Sequence, residues 1–308
     1  VFKVKSPKAI IACVIAIVIA IGAVVVFFNT DNKIVAKINI ITETLKDGQS
    51  LGGSASFYED VNVDGETATV ITKDGNYTID YAEAGTQLMH NGNVLTPVSI
   101  EPMESQKDGK TYTFNESGMT WKMMIYGNNA TLVGVDPQGT ETYFMFSEVD
   151  GKLSMVDRFG TPVDLNVPVE SFGFKGVERL GSNRGYIYSR SIPLLKHNII
   201  LGAGADNFVL EFPQQDIKSK LEFLGDPYVI IDKPHNMFLQ MGINDGCIAL
   251  LVMIALFVLY VAQTIKRIFT DNNKYLQAVR YGLMAGCIAY MITGLTTDSV
   301  VSVAPVFW

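Results

Sequence analysis

Two uninterrupted apolar runs limit what this chain can fold into more than any other feature. Cys247 to Ile265 is nineteen residues without a charged side chain, and Ile10 to Phe28 is another nineteen. At about 1.5 Å per residue, a helix of that length extends roughly 28 Å, close to the hydrocarbon thickness of a bilayer. A third run, shorter and containing glycine, extends from Tyr281 to about Leu295. The first run is long for the apolar part of a signal peptide, and Phe27-Phe28-Asn29-Thr30 makes a poor cleavage site. A retained helix is the preferred reading.

Charge orients these runs. Lys3, Lys5 and Lys8 precede the first, and Lys266, Arg267, Lys274 and Arg280 lie between the second and third. Basic flanks belong on the cytoplasmic side, which places residues 29–245 outside the cell. That region carries 17 basic and 29 acidic side chains, a net charge of −12, which argues against a nucleic-acid partner. Cys13, Cys247 and Cys287 all fall in apolar runs, so the outer region has neither a disulfide framework nor a cysteine metal site. An outer region free of cysteine fits a bacterial cell membrane. The chain starts with Val and ends at Pro305-Val306-Phe307-Trp308, and three spans are few to enclose a site. The expectation is a fragment of a longer multi-pass protein.

Between the runs the pattern changes period. Thr67–Thr72 and Tyr77–Tyr81 alternate in polarity around Asp74-Gly75, a hairpin signal. Asn91-Gly92, Asp108-Gly109, Gln138-Gly139 and Asp150-Gly151 mark further turns between short strand-like segments. The expected fold class is an α-helical polytopic membrane protein with a large extracytoplasmic all-β, sandwich-like insert. The expected units are a span with its flank (1–28), the β-rich insert (29–170), a catalytic-loop region (171–246) and further spans (247–308). Trp121, Tyr112 and Tyr143 suit stacking on sugars if exposed, but strand aromatics more often fill the core.

The polar residues that suggest chemistry sit between the insert and the second apolar run. Apolar residues recur near helical spacing from Tyr186 to Ile200, with Arg184 at the start and Arg190 six residues on. Gly202 and Gly204 allow a sharp turn. Lys233-Pro234 fits the start of a helix, which puts His235 at a helix N-terminus, where the dipole favours the neutral imidazole. Asp232 either orients His235 or caps that helix. Arginines suit a diphosphate leaving group, and an imidazole suits deprotonation of an attacking hydroxyl. The plainer alternatives are that the arginines anchor the chain at the headgroups and that His235 caps a helix. His90 and His197 are read as structural.

At these residues the chain resembles the O-antigen ligase and polysaccharide polymerase family of bacterial membrane proteins. The resemblance covers about Arg179 to Trp308. It rests on Ser182 to Tyr188, Gly202-x-Gly204 to Phe208, His235-Asn236-x-Phe238-Leu239 with Gly242 and Gly246, and Thr297-Asp298-Ser299 to Trp308. It implies a glycosyltransferase, independent of metal and cofactor, that moves a glycan from undecaprenyl diphosphate to a saccharide or lipid-glycan acceptor. The reaction would take place at the outer face of the lipid bilayer. It also implies that Arg184 holds the diphosphate and His235 is the catalytic base. Arg190, Lys233 and Asn236, which lie near them in the same polar segment, are expected to support them as substrate-binding residues. A polymerase extending lipid-linked glycan is the close alternative. A membrane-anchored glycan-binding or sensing protein using the β insert is the alternative of another class.

Overall fold

Local turn chemistry is realised strand by strand. The computed structural model describes residues 57–298, apart from 83–84, 105, 107, 137–138 and 271–272. The expected span Ile10–Phe28 and the family-like tail after Asp298 lie outside the described residues. One antiparallel sheet contains, in chain order, β1 (Tyr58–Asp64), β2 (Thr67–Thr72), β3 (Gly75–Ala82), β4 (Gly85–His90) and β5 (Asn93–Val94). The second contains β6 (Ser99–Pro102), β7 (Lys110–Glu116), β8 (Met119–Tyr126), β9 (Asn129–Val135), β10 (Glu141–Val149) and β11 (Lys152–Met155), again in chain order. Each sheet is a meander, because every connection is a short turn between antiparallel neighbours.

Strand alternation sends Ala68, Val70, Tyr77, Ile79 and Leu88 from one sheet, and Trp121, Met123, Leu132, Phe144 and Phe146 from the other, into a shared core. The Tyr77 and Trp121 rings meet across it at 4.2 Å between centroids. Trp121 is therefore core, and Tyr112 packs against that core. Tyr143 is exposed, with its hydroxyl bonded to Glu141.

The sheets do not complete this core alone. Helix α1 (Leu180–Ser191) is followed by a 3₁₀ turn (Ile192–Lys196), α2 (Phe208–Glu211) and α3 (Ile217–Leu224). Ile217 and Leu221 of α3, with Tyr228 just after it, belong to the β-domain core. Each such buried side chain contributes about 1.5–3 kcal/mol. Beyond the end of β11, the edge of β10 is covered by this segment. The Met145 N–H donates to the Tyr228 hydroxyl at 2.9 Å, and the Thr142 hydroxyl donates to the Gly225 carbonyl at 3.2 Å. Lys218 reaches Asp60 and Asn62 on β1, at 3.2 and 2.6 Å.

A second core gathers Tyr186, Ile187, Phe208, Phe212, Ile231 and Ile243 under the helical part. Helix α4 (Met237–Asn244) leads through a kink into α5 (Cys247–Thr270), which is followed by α6 (Lys274–Gly294). The kink is clamped by residues 198–204. The Ala203 and Gly204 N–H groups donate to the last carbonyls of α4, on Ile243 and Asn244, at 2.8 and 2.9 Å. The Cys247 and Ile248 N–H groups at the start of α5 donate to Asn198 and Ile199, at 2.9 and 3.2 Å. Gly202 allows this approach, since a Cβ there would lie 2.1 Å from the Asn244 carbonyl oxygen. Gly246, at φ 100°, makes the bend itself. The glycine motif thus works as a clamp on two helix ends.

The helix expected from Tyr186 to Ile200 gives way at Ile192 to the 3₁₀ turn, where Pro193 sits at its start. The fold class is not an α-helical polytopic membrane protein. The described chain is a two-sheet antiparallel β domain joined to a C-terminal helical part. Among the described residues only α5 is long and apolar enough to cross a membrane, judged by length and composition. Helix α6 begins at Lys274 and includes Arg280, and its run from Tyr281 is diluted by Gly282, Gly286, Thr293 and Gly294. The uncharged run is shorter than a span, and the helix that contains it opens on the polar turns of residues 274–280.

Candidate functional site

The site begins at an unusual backbone. Gly181, Ser182 and Asn183 all lie in the left-handed region, with φ of 65°, 59° and 68°. For the two residues with side chains this costs roughly 1–2 kcal/mol each. It is held by the Tyr186 N–H on the Glu178 carbonyl at 2.7 Å and the Asn183 N–H on the Arg179 carbonyl at 3.2 Å. The reversal lets the regular part of α1 start at Arg184 and aims that side chain at the C-terminal end of α6.

A helix end leaves carbonyls without intrahelical partners, and this one gathers donors from two other elements. Arg184 Nη1 donates to the Thr296 carbonyl at 2.5 Å. One turn along α1, the Tyr188 hydroxyl lies between the carbonyls of His235 (3.0 Å) and Leu295 (3.2 Å). Asn236 Nδ2 donates to Leu295 at 2.9 Å, and the Met237 N–H donates to Thr297 at 3.0 Å. The start of α4, the start of α1 and the end of α6 therefore meet at one point. Burial pushes the Tyr188 phenol above its ordinary pKa, while the nearby Arg184 guanidinium opposes the shift.

His235 is fixed within this junction, at φ 53°. Its Nδ1 lies 3.0 Å from Asp298 Oδ2. The Asp298 side chain is 18% exposed and that of His235 is 42% exposed. A carboxylate accepts only from a protonated Nδ1, so this contact leaves Nε2 as the basic nitrogen of the neutral ring. A carboxylate–imidazole pair on a half-exposed side chain is an arrangement that suits general-base chemistry.

No protein-family model, curated protein or solved structure matches this chain.

Of the residues singled out by sequence, Arg184 and His235 are brought to the same junction. Asn236 is there too, but it serves the backbone. Its Oδ1 accepts from the Phe238 and Leu239 N–H groups, both at 3.0 Å, as the N-cap of α4. The helix thus starts at Met237, later than expected, and His235 precedes the cap instead of sitting in the first turn. Lys233 and Asp232 are exposed on the approach to His235, and neither has a hydrogen bond or ion pair among the described residues. The role of orienting the imidazole, considered for Asp232, falls to Asp298.

Arg190 is held elsewhere. Its Nε donates to Asp216 Oδ2 at 3.0 Å, Nη1 to the Ser189 hydroxyl at 2.9 Å and Nη2 to the Ser219 hydroxyl at 3.1 Å. Its guanidinium lies 4.9 Å from the Tyr186 ring centroid. Tyr186 in turn donates to Asp216 Oδ2 at 3.2 Å, and burial pushes its phenol well above the ordinary value. With all its nitrogens engaged in a nearly buried network, Arg190 ties α1 to α3. Sequence reasoning noted Tyr188 and Asp298 only as members of the family-like motifs and gave neither a role. The spacing Arg184-x-x-x-Tyr188, one helical turn, was the available signal for Tyr188.

Proposed function

We propose that this chain transfers a glycan from a lipid-linked diphosphate, of the undecaprenyl diphosphate type, to an acceptor hydroxyl at the outer face of a bacterial membrane. The observation that carries this reading is the Asp298–His235 pair beside Arg184, at the α6 end that lies alongside the start of the apolar helix α5. In the proposed step His235 Nε2 takes the proton from the acceptor hydroxyl, whose oxygen attacks the anomeric carbon. The bond from that carbon to the diphosphate oxygen breaks, and the negative charge that develops there is met by the Arg184 guanidinium. Asp298 holds the ring in the competent tautomer and stabilises the imidazolium that forms. Tyr188 fixes the His235 backbone. Lys233, exposed two residues before His235, supplies positive charge at the approach.

Placing residues 29–245 outside the cell follows from the basic flanks of the apolar runs. The test is transfer from undecaprenyl-diphosphate glycan by the whole chain in lipid, compared with Arg184→Ala and His235→Ala. Both variants should lose roughly 10²-fold or more in kcat while keeping the elution profile of the folded parent. Full activity in either would refute the assignment.

A second reading has one observation in its favour: Arg184, Tyr188 and Asn236 all donate to carbonyls at the end of α6, as a purely structural cap would. On that reading the chain is an anchored glycan-binding protein that uses its β domain. It requires glycan binding by the whole chain to be unchanged in His235→Ala, with no transfer by the parent.

A further inference from the structure

Residues Ile199, Ile200 and Leu201 are 56%, 68% and 81% exposed, three large aliphatic side chains in succession. They do not sit on a loose loop. The Ile199 carbonyl accepts from the Ile248 N–H at 3.2 Å, and Gly202 lies against the Asn244 carbonyl. This pinning sets the tripeptide level with the first turn of α5. It also joins an exposed apolar stripe on that helix: Ile248, Leu251, Val252, Leu256 and Leu259 recur at helical spacing and are all more than half exposed or at that mark. On the polar side the tripeptide is preceded by Lys196 and His197, both exposed.

We infer that Ile199-Ile200-Leu201 is a membrane anchor. It inserts into the boundary between headgroups and hydrocarbon beside the outer end of α5. The occupant is the lipid bilayer itself, because the exposed tripeptide is hydrogen-bonded to the first turn of α5, whose exposed apolar stripe a spanning helix presents to lipid. The flanking Lys196, which also pairs with the exposed carboxylate of Glu170, then lies at headgroup level beside the polar His197. The inference rests on α5 crossing the membrane. Its consequence is depth control. The residues that clamp the α4–α5 kink also hold this tripeptide, so its insertion fixes the height of α4, and of His235 before it, above the bilayer.

Depth-dependent fluorescence quenching tests this in the whole chain, reconstituted in phosphatidylglycerol-containing bilayers. Tryptophan replaces one residue at a time in a Trp308→Phe background, with buried Trp121 as a constant signal. Leu201→Trp and Ile200→Trp are the probes. Leu256→Trp, mid-way along α5, reports the span, and Phe159→Trp, 93% exposed in the β domain, reports water. Lipids brominated near the headgroup end of the chain should quench the Leu201→Trp and Ile200→Trp emission by about twofold or more, as expected for side chains seated some 5–10 Å deep. Lipids brominated near the chain end should quench Leu256→Trp most, and none should quench Phe159→Trp. Quenching of Leu256→Trp without the two probes would overturn the anchor while leaving the span in place. Absence of quenching at Leu256→Trp as well would overturn the span and the anchor together.

Discussion

Lys220 offers a sharp quantitative test of how the helical part is joined to the β domain. It lies on α3, is 2% exposed, and donates to the Gln214 backbone carbonyl at 2.7 Å and to Gln214 Oε1 at 3.0 Å. Both partners are neutral. Burial pushes its ammonium down from 10.5 to about 8, with Asp216 and Asp226 opposing the shift and Arg158 adding to it. At about 1.36 kcal/mol per pKa unit, keeping that charge inside the fold costs roughly 3 kcal/mol at neutral pH. The folded pKa lies below the unfolded one, so between pH 8 and 10.5 the unfolded chain binds the extra proton. Stability from this group therefore rises with pH across that window, and the full penalty is present below about pH 8. Lys220→Met removes the charge but leaves two Gln214 acceptors short of a donor, a loss of about 1–2 kcal/mol. The variant should thus be more stable than the parent by about 1–2 kcal/mol at pH 7. Its advantage should shrink by about 2 kcal/mol by pH 9.5, as the parent lysine loses its proton in the fold. Urea unfolding of both proteins in detergent, followed by the emission of buried Trp121, gives the difference, in which other titrating groups cancel. A difference that stays constant within about 0.5 kcal/mol from pH 7 to 9.5 would refute the claim that Lys220 is charged and buried.

Two further outcomes follow from the junction and the clamp. Asp298→Asn should lower kcat by roughly 10²-fold with little change in KM, because the amide no longer holds Nδ1 protonated, and Asp298→Glu should recover part of the loss; equal effects of both substitutions on KM alone would contradict the orienting role. Gly202→Ala should destabilise the chain by about 1–3 kcal/mol, because the new methyl meets backbone at 2.1 Å and the clamp must open; an unfolding midpoint equal to that of the parent would show that residues 198–204 do not hold the kink.

What could be read in the sequence was what is encoded locally. The Asp74-Gly75 hairpin was legible because a turn residue pair and strand alternation lie within a dozen residues of one another. The Cys247–Thr270 helix was legible because its composition is uniform. Local signals also misled: Tyr281–Leu295 lacks charge but is short for a span and shares its helix with the charged residues Lys274 and Arg280, so the polytopic fold expected from uncharged runs is overturned by the structure. In the site, Arg184 and His235 were found as motif residues, 51 positions apart, and the structure brings them together. Their partners were not legible, because Asp298 lies 63 positions from His235, and Asp216 lies 26 positions from Arg190. Nothing in a local window tells an arginine that will face a substrate from one that a distant carboxylate will hold. The capping role of Asn236 is the opposite case, a short-range signal that lies within three residues of it.

The burial of α3 in the β-domain core changes what that domain can do for the site. An insert tethered only at its ends would move freely relative to residues 171–246. Here Leu221, Ile217 and Tyr228 are part of its core, and the edge of β10 is closed by Tyr228 and Gly225. The Asp216 carboxylate, immediately before α3, binds Arg190 and Tyr186 of α1. Two turns earlier on that helix Arg184 touches the α6 end, and Tyr188 holds the His235 carbonyl. Every step in this chain is a buried contact or a hydrogen bond, and none passes through a free loop. Packed interiors transmit displacement instead of absorbing it. The β domain therefore sets where α1 stands, and α1 sets where the arginine and the imidazole stand relative to each other.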